Sequence, residues 1–219
     1  MFNMDFNEKV VCNTNHIDWQ ESPMKGVLRK PLAREGAETG HATSIVKYQE
    51  NTHFTAHKHP YGEEIFVLDG IFSDENGDYP QGSYIRNPPN SIHSPYSEKG
   101  CTLFVKLNQF SPEDNKTVVI NTNTEPWQLG IGKLNVMPLH SFETQHTALV
   151  KWPAGEKFQP HRHFGGEEIL VLSGEFKDEY GNYPKGTWIR SPHLSSHHPF
   201  VEYETIILVK TGHLDLLSH

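Results

Sequence analysis

The sequence has little of what several protein classes require. It holds only two cysteines, Cys12 and Cys101, and no Cys-x-x-Cys pair. A disulfide between them is geometrically possible, but a chain of 219 residues needs none to be stable, so both are read as unpaired thiols. Basic residues are scarce: 19 Lys and Arg stand against 27 Asp and Glu, for a formal net charge of −8. They form no cluster, and phosphate contacts need a concentrated basic face, so no nucleic-acid partner is expected. No apolar run approaches a membrane span, so no membrane is expected either. The start, MFNMDFNEKVV, lacks a basic n-region and apolar core, so no signal peptide is read and the cytoplasm is the expected location. No long segment repeats apolar residues at helical spacing. LGIGKLN (129–135) has two glycines but not the flanking pattern of a phosphate loop.

What the chain has is punctuation. Seventeen glycines and fifteen prolines break it into short apolar runs such as EEIFVLDG, EEILVLSG, SYIRNPP and TWIRSPH. Asn76-Gly77 is a hairpin signal. The expected class is all-β, with about a dozen or more short strands in two barrels or sandwiches.

The chain also repeats itself. Residues 46–106 align with 150–210 at a constant offset of 104, and 28 of the 61 positions are identical. Upstream, VVCNTNHIDWQ (10–20) aligns with VVINTNTEPWQ (118–128) at offset 108, so the second copy has lost four residues between the two blocks. A period this long marks a duplicated domain rather than a solenoid. The expected domains are 1–110 and 111–219, joined near Ser111-Pro112, and packed about a pseudo-twofold axis. The matched VVxNTN strands, far from the other repeated motifs, are expected to cross between the units.

With fifteen histidines in the chain, one His-x-His pair is weak evidence. The same set held twice is strong evidence. His57, His59, Glu63 and His93 recur at identical spacings as His161, His163, Glu167 and His197, while neighbours such as Lys58/Arg162 and Pro60/Phe164 have drifted. Alternate residues of a strand share a face, so each His-x-His pair converges on one point. The glutamate opens the next strand and the last histidine returns from a later one. Three imidazoles and a carboxylate suit a divalent transition metal, and Fe, Mn, Ni and Zn all remain open, one ion per domain. Glu64 and Glu168 fall on the opposite strand face, where a structural role is expected. His53, His193, His198, His213 and His219 lack a histidine counterpart and are read as background.

These residues resemble the cupin superfamily, in the form of a bicupin. The first cupin motif, G-x5-H-x-H-x3-4-E-x6-G, is matched by Gly155, His161, His163, Glu167 and Gly174, and in the first unit by Asn51, His57, His59, Glu63 and Gly70. The second is matched by Gly82, Pro88 and His93, and by Gly186, Pro192 and His197. The string at 175–192 resembles most closely the cupin of the ChrR group. The resemblance implies two jelly-roll barrels (double-stranded β-helices), each holding a metal by three His and one Glu. Asn51, Asn90 and Leu194 stand where the motifs have glycine, and Leu194 predicts a different turn at the second site. ChrR resembles an anti-sigma factor with a helical, zinc-binding N-terminal domain. No such domain is expected here, because the N-terminal segment belongs to the first repeat.

The resemblance implies a metal-dependent oxidoreductase of the dioxygenase type acting on a small molecule, with diketones or acyl-phenols as the nearest analogy. A non-catalytic metal-containing sensor related to ChrR is the alternative, and a sugar isomerase or epimerase is weaker. Arg86 and Arg190 are candidates to bind an acidic or enolate group, with Tyr84 and Trp188 on the same face; the alternative is that all four brace the barrel exterior. No general base stands out. The partner expected is a small-molecule ligand or substrate, together with a second copy of the chain in a homodimer.

Overall fold

A computed structural model describes residues 1–36 and 39–214; His219 lies outside them. Among the described residues the regular structure is β-strand apart from one short 3-10 turn, Thr14–His16. Among the same described residues no helix is long and apolar enough to cross a membrane. Two compact units emerge. One comprises Met1–Met4 and Ile17–Glu125, the other Asp5–His16 and Pro126–His219.

In the first unit the main sheet runs in the order Val118–Asn121, Ser83–Asn87, Glu63–Asp74, Cys101–Leu107, Ala42–Tyr48, Val27–Arg34, Gln20–Glu21. In the second the order is Val10–Asn13, Thr187–Ser191, Glu167–Ser173, Thr205–Thr211, Gln145–Trp152, Asn135–Phe142, Gln128–Leu129. The orders correspond strand for strand, and all pairings are antiparallel. Each unit adds a two-stranded ribbon: His57–His59 with Ser91–His93, and His161–Arg162 with Ser196–His197.

The VVxNTN strands are exchanged. Val10–Asn13 pairs with Thr187–Ser191, Val10 lying opposite Arg190, and Val118–Asn121 pairs with Ser83–Asn87, Val118 opposite Arg86. The boundary between repeats and the boundary between packed units therefore differ, because each such strand completes the sheet of the other copy.

β-branched and aromatic residues fill each interior. Ile65, Val67, Phe72, Ile85, Leu103 and Val105 are buried together in the first unit, and Ile169, Val171, Phe176, Ile189, Ile207 and Trp152 in the second. Glu63 shares a face with Ile65 and Val67 by strand alternation, so the sheet that builds the core also aims a carboxylate into it. The glycine that closes each motif has a steric reason. Gly70 and Gly174 have φ of 75° and 73°, and a Cβ there would lie 2.2 Å from the Gly100 carbonyl oxygen or 2.4 Å from that of Glu204.

The turn before the last histidine is the same in both units, which corrects the expectation at Leu194. Asn90 (φ 69°) and Leu194 (φ 62°) both adopt the left-handed conformation, and each amide donates to the carbonyl of the ribbon histidine, His59 or His163, at 2.8 Å. Leucine accepts a backbone strain of about 1 kcal/mol or more there rather than changing the turn.

Candidate metal centres

Both sites form at the junction of ribbon and barrel. Antiparallel register sets His57 opposite His93 and His161 opposite His197. His59 and His163 sit two residues on from the first histidine, facing the same way, and Glu63 and Glu167 open the barrel strands that follow a short turn.

The imidazoles converge through their Nε2 atoms. His59 and His93 Nε2 lie 2.9 Å apart, and His163 and His197 Nε2 3.0 Å apart. Glu63 Oε2 lies 3.5 Å from His59 Nε2 and 3.3 Å from His93 Nε2. Glu167 Oε2 lies 3.5 Å from His163 Nε2 and 3.7 Å from His197 Nε2. In the second unit all four residues offer a ligand atom within 4.8 Å of one another; in the first the three histidines do so. The sites also differ in that Asn87 Nδ2 donates to Glu63 Oε2 at 3.1 Å, while Ser191 stands at the corresponding position of the second unit. Glu167 Oε2 is buried without a hydrogen-bond partner.

The surroundings fix the tautomers. His57 Nδ1 lies 3.0 Å from the Thr55 carbonyl and His161 Nδ1 3.1 Å from that of Gln159. A carbonyl only accepts, so each Nδ1 carries the proton and each Nε2 presents its lone pair. Burial lowers the His59 imidazole to about 4, with help from His57, and the His163 imidazole to about 3, with help from His197 and His161. Burial likewise lowers His93 and His161. Neutral imidazole is the ligating form, so these rings are ready to bind a cation at neutral pH. Burial raises Glu63, and pushes Glu167 up to about 7.

The donor set fits a metal ion. Two nitrogens about 2.1 Å from one ion stand about 3.0 Å apart at a right angle and about 3.4 Å apart at a tetrahedral angle. The observed separations match the right angle, and the partnerless Glu167 oxygen supplies the charge an ion would neutralise.

A further carboxylate in each site went unread in the sequence. Asp178 Oδ2 lies 3.5 Å from His197 Nδ1 and its Oδ1 accepts from the Tyr183 hydroxyl at 2.8 Å. Asp74 holds the same place, 3.6 Å from His93 Nδ1 and 3.0 Å from the Tyr79 hydroxyl. Carboxylate, imidazole and cation in a row is how proteins orient a ligating histidine. The signal was present as the repeated D-E-x-G-x-Y-P string, but it reads as a turn. Lys9, on the exchanged segment, adds an ammonium 3.4 Å from Asp178 Oδ2. Burial alone would raise Asp178, yet His197, Tyr183, the Tyr180 amide and Lys9 together hold it down to about 2. Asp178→Asn is expected to weaken metal binding at the second site roughly 10- to 100-fold. Titration with a chelator-buffered metal would show this while the first site keeps its affinity.

Arg86 and Arg190 are not at the sites: of the two roles open to them, bracing the barrel is the one the structure shows, and substrate binding is not. Both are buried on the opposite sheet face. Arg86 pairs with Asp114 at 2.5 Å and stacks on Phe110, while Arg190 donates to the Asp5 carbonyl at 2.7 Å and lies over Phe6. They brace the sheet against the flanking chain. Glu64 and Glu168 share that face, taking bonds from the Tyr84 hydroxyl at 2.6 Å and Trp188 Nε1 at 3.3 Å. His53 stacks on Tyr96, His193 accepts from the Gly165 amide, and His213 lies beside Glu168, so none of them joins a metal centre. Neither Cys12 nor Cys101 is in a disulfide, and burial pushes the Cys101 thiol up to about 11.

Two barrels, each with a His-x-His ribbon and an inward glutamate, define a bicupin. The chain belongs to the ChrR cupin-like domain family, which it matches twice, over residues 7–111 and 115–215. No curated protein matches it. Among solved structures it is similar to a protein from Nostoc punctiforme PCC 73102 provisionally assigned as a dioxygenase. The TM-score is 0.79 at 14% identity, covering 93% of this chain and 82% of that one. It is also similar to the Lactobacillus farciminis oxalate decarboxylase formate complex (0.66, 14%, 92% and 85%). The third is the bacterial pirin YhhW from Escherichia coli, in complex with nickel(II) (0.69, 10%, 93% and 98%). At such identities the likeness is one of fold.

Proposed function

We propose that the chain is a metal-dependent oxidoreductase of the dioxygenase type acting on a small molecule. One divalent transition metal (Fe, Mn, Ni or Zn) would be held by His57, His59, Glu63 and His93, and another by His161, His163, Glu167 and His197. The observation that carries this reading is the convergence of three imidazoles and a buried carboxylate in each unit, with Nε2 atoms 2.9 and 3.0 Å apart. Bound there, any of these ions would supply Lewis-acid polarisation of a substrate oxygen, and Fe, Mn or Ni electron-transfer chemistry as well. The chain's own contribution is orientation and exclusion. The Thr55 and Gln159 carbonyls aim one histidine in each set, Asp74 and Asp178 stand behind another, and Phe54 and Phe158 pack against His57 and His161. Fold likeness to a provisional dioxygenase supports the reaction class by analogy only.

Membership of the ChrR cupin-like family supports a second reading, a metal-containing sensor. Oxygen uptake by the Fe(II)-loaded protein over a panel of β-diketones and acyl-phenols separates the two. Turnover that disappears on chelation supports the enzyme. Tight metal retention without turnover, with a change of conformation on peroxide treatment, supports the sensor.

A further inference from the structure

We infer that the two units divide their work: the first binds a small carboxylate beside its histidines through Arg29 and Arg34, and the second does not. This rests on the metal reading above and names the substrate class of the first site.

A cavity of about 540 Å³ opens onto His57, His59 and Glu63 of the first unit. That volume is typical of a small-molecule site. Val27, Val46, Phe54, Leu103 and Val105 give it an apolar wall, and Arg29 and Arg34 add two guanidiniums. Their presence on one face is not what simple alternation gives, since they stand five residues apart on the strand Val27–Arg34. A bulge between Pro31 and Ala33 shifts the register by one. Arg29 then lies opposite Val46 and Arg34 opposite Ala42, residues of one face of the neighbouring strand. Arg29 Nη2 donates to Ser22 Oγ at 2.9 Å and Arg34 Nε to the Gly36 carbonyl at 2.8 Å, so both side chains are held in place.

The second unit keeps the bulge and loses the charge. Its register shift falls between Pro138 and His140, with Val136 opposite Val150 and Ser141 opposite His146. At the offset of 104 those partners correspond to Val46 and Ala42. Valine and serine thus replace the two arginines. A guanidinium recognises a carboxylate through paired, charge-assisted hydrogen bonds, which valine and serine cannot reproduce. Apolar walls with cations near a metal-binding cluster suit an acid with a short hydrocarbon or aromatic body.

The test uses the full chain loaded with Mn(II), with succinate and benzoate as probes and benzamide as a neutral twin of benzoate. Calorimetric titration is expected to show one carboxylate per chain, and Mn(II) to broaden the probe's proton NMR lines. Broadening is expected to vanish in His57→Ala/His59→Ala and to persist in His161→Ala/His163→Ala. Arg29→Gln and Arg34→Gln are each expected to weaken binding roughly 10-fold or more while manganese content stays at the wild-type level. If either variant folds poorly, Arg29→Lys and Arg34→Lys keep the charge and are expected to retain more of the binding. Two carboxylates per chain, benzamide bound as well as benzoate, or affinity indifferent to both arginines would overturn the inference. Manganese analysis of the same samples separates the failures. Absent metal sinks the metal reading, whereas bound metal with no carboxylate binding sinks this one alone.

Discussion

Replacing His163 with alanine is expected to leave one metal equivalent per chain, against the two expected of the parent protein purified without chelator or nickel resin. His59→Ala is expected to do the same at the other site. Each of these histidines is buried with its Nε2 within 3.0 Å of another ligand nitrogen, so its loss removes a donor that water cannot replace in the same geometry. Metal-site binding energies of roughly 10 kcal/mol shared among four ligands put the loss at about 100-fold in affinity or more. Elemental analysis of the two single variants and the pair reads out the result. Two equivalents in either single variant would show that the histidines are not ligands. The pH dependence has a definite sign at the second site. Burial raises Glu167 to about 7, so below that pH the free carboxyl holds a proton that a cation must displace. Affinity there is expected to fall up to about tenfold per pH unit below neutrality. His163, depressed to about 3, begins to compete for protons only near the bottom of the acid range.

Cutting the chain at the repeat boundary is expected to give a fragment, 1–111, that does not unfold cooperatively, while 17–125, of nearly the same length, does. The two differ in whether the first unit keeps Val118–Asn121. Without that strand, Ser83–Asn87 becomes an open sheet edge and buried Arg86 loses Asp114. Thr122 Oγ1 and Asn123 Nδ2 also no longer cap the Gly82 and Gln81 carbonyls, at 2.6 and 2.7 Å. Orphaning a buried charge costs about 3–5 kcal/mol, a large part of the whole stability of a domain. By the same reasoning, deletion of residues 1–16 damages the second unit, which takes from that segment a strand, the Asp5 carbonyl on Arg190, Lys9 on Asp178, and Thr14 on the Gly186 carbonyl. Urea titration followed by far-UV circular dichroism decides. A cooperative transition for 1–111 and none for 17–125 would refute the assignment of the exchanged strands.

Much of the site was legible because metal ligation needs particular side chains at strand spacing, and the duplication supplied its own control. Two copies of His-x-His-x3-Glu, each with a histidine 36 positions beyond the first, have no structural reason to stay in step while their neighbours drift. Asp74 and Asp178 escaped because a carboxylate behind a ligand is defined by which ring nitrogen it meets, and their string also spells a hairpin. Arg86 and Arg190 stay ambiguous in the sequence for the converse reason. A buried cation on the far face of a strand looks, in one dimension, like a cation beside the ligands.

By itself the sequence determined the all-β class, the duplication and the eight residues proposed to hold metal, since each rests on local spacing or residue chemistry. Only the tertiary structure decided which copy owns the strands Val10–Asn13 and Val118–Asn121, because hydrogen bonds between distant segments set that. It alone showed that a bulge turns Arg34 to the side of Arg29, and that Asn87 hydrogen-bonds Glu63 Oε2 while Glu167 Oε2 has no hydrogen-bond partner. Those features depend on register across strands, and register is a property of the assembled sheet.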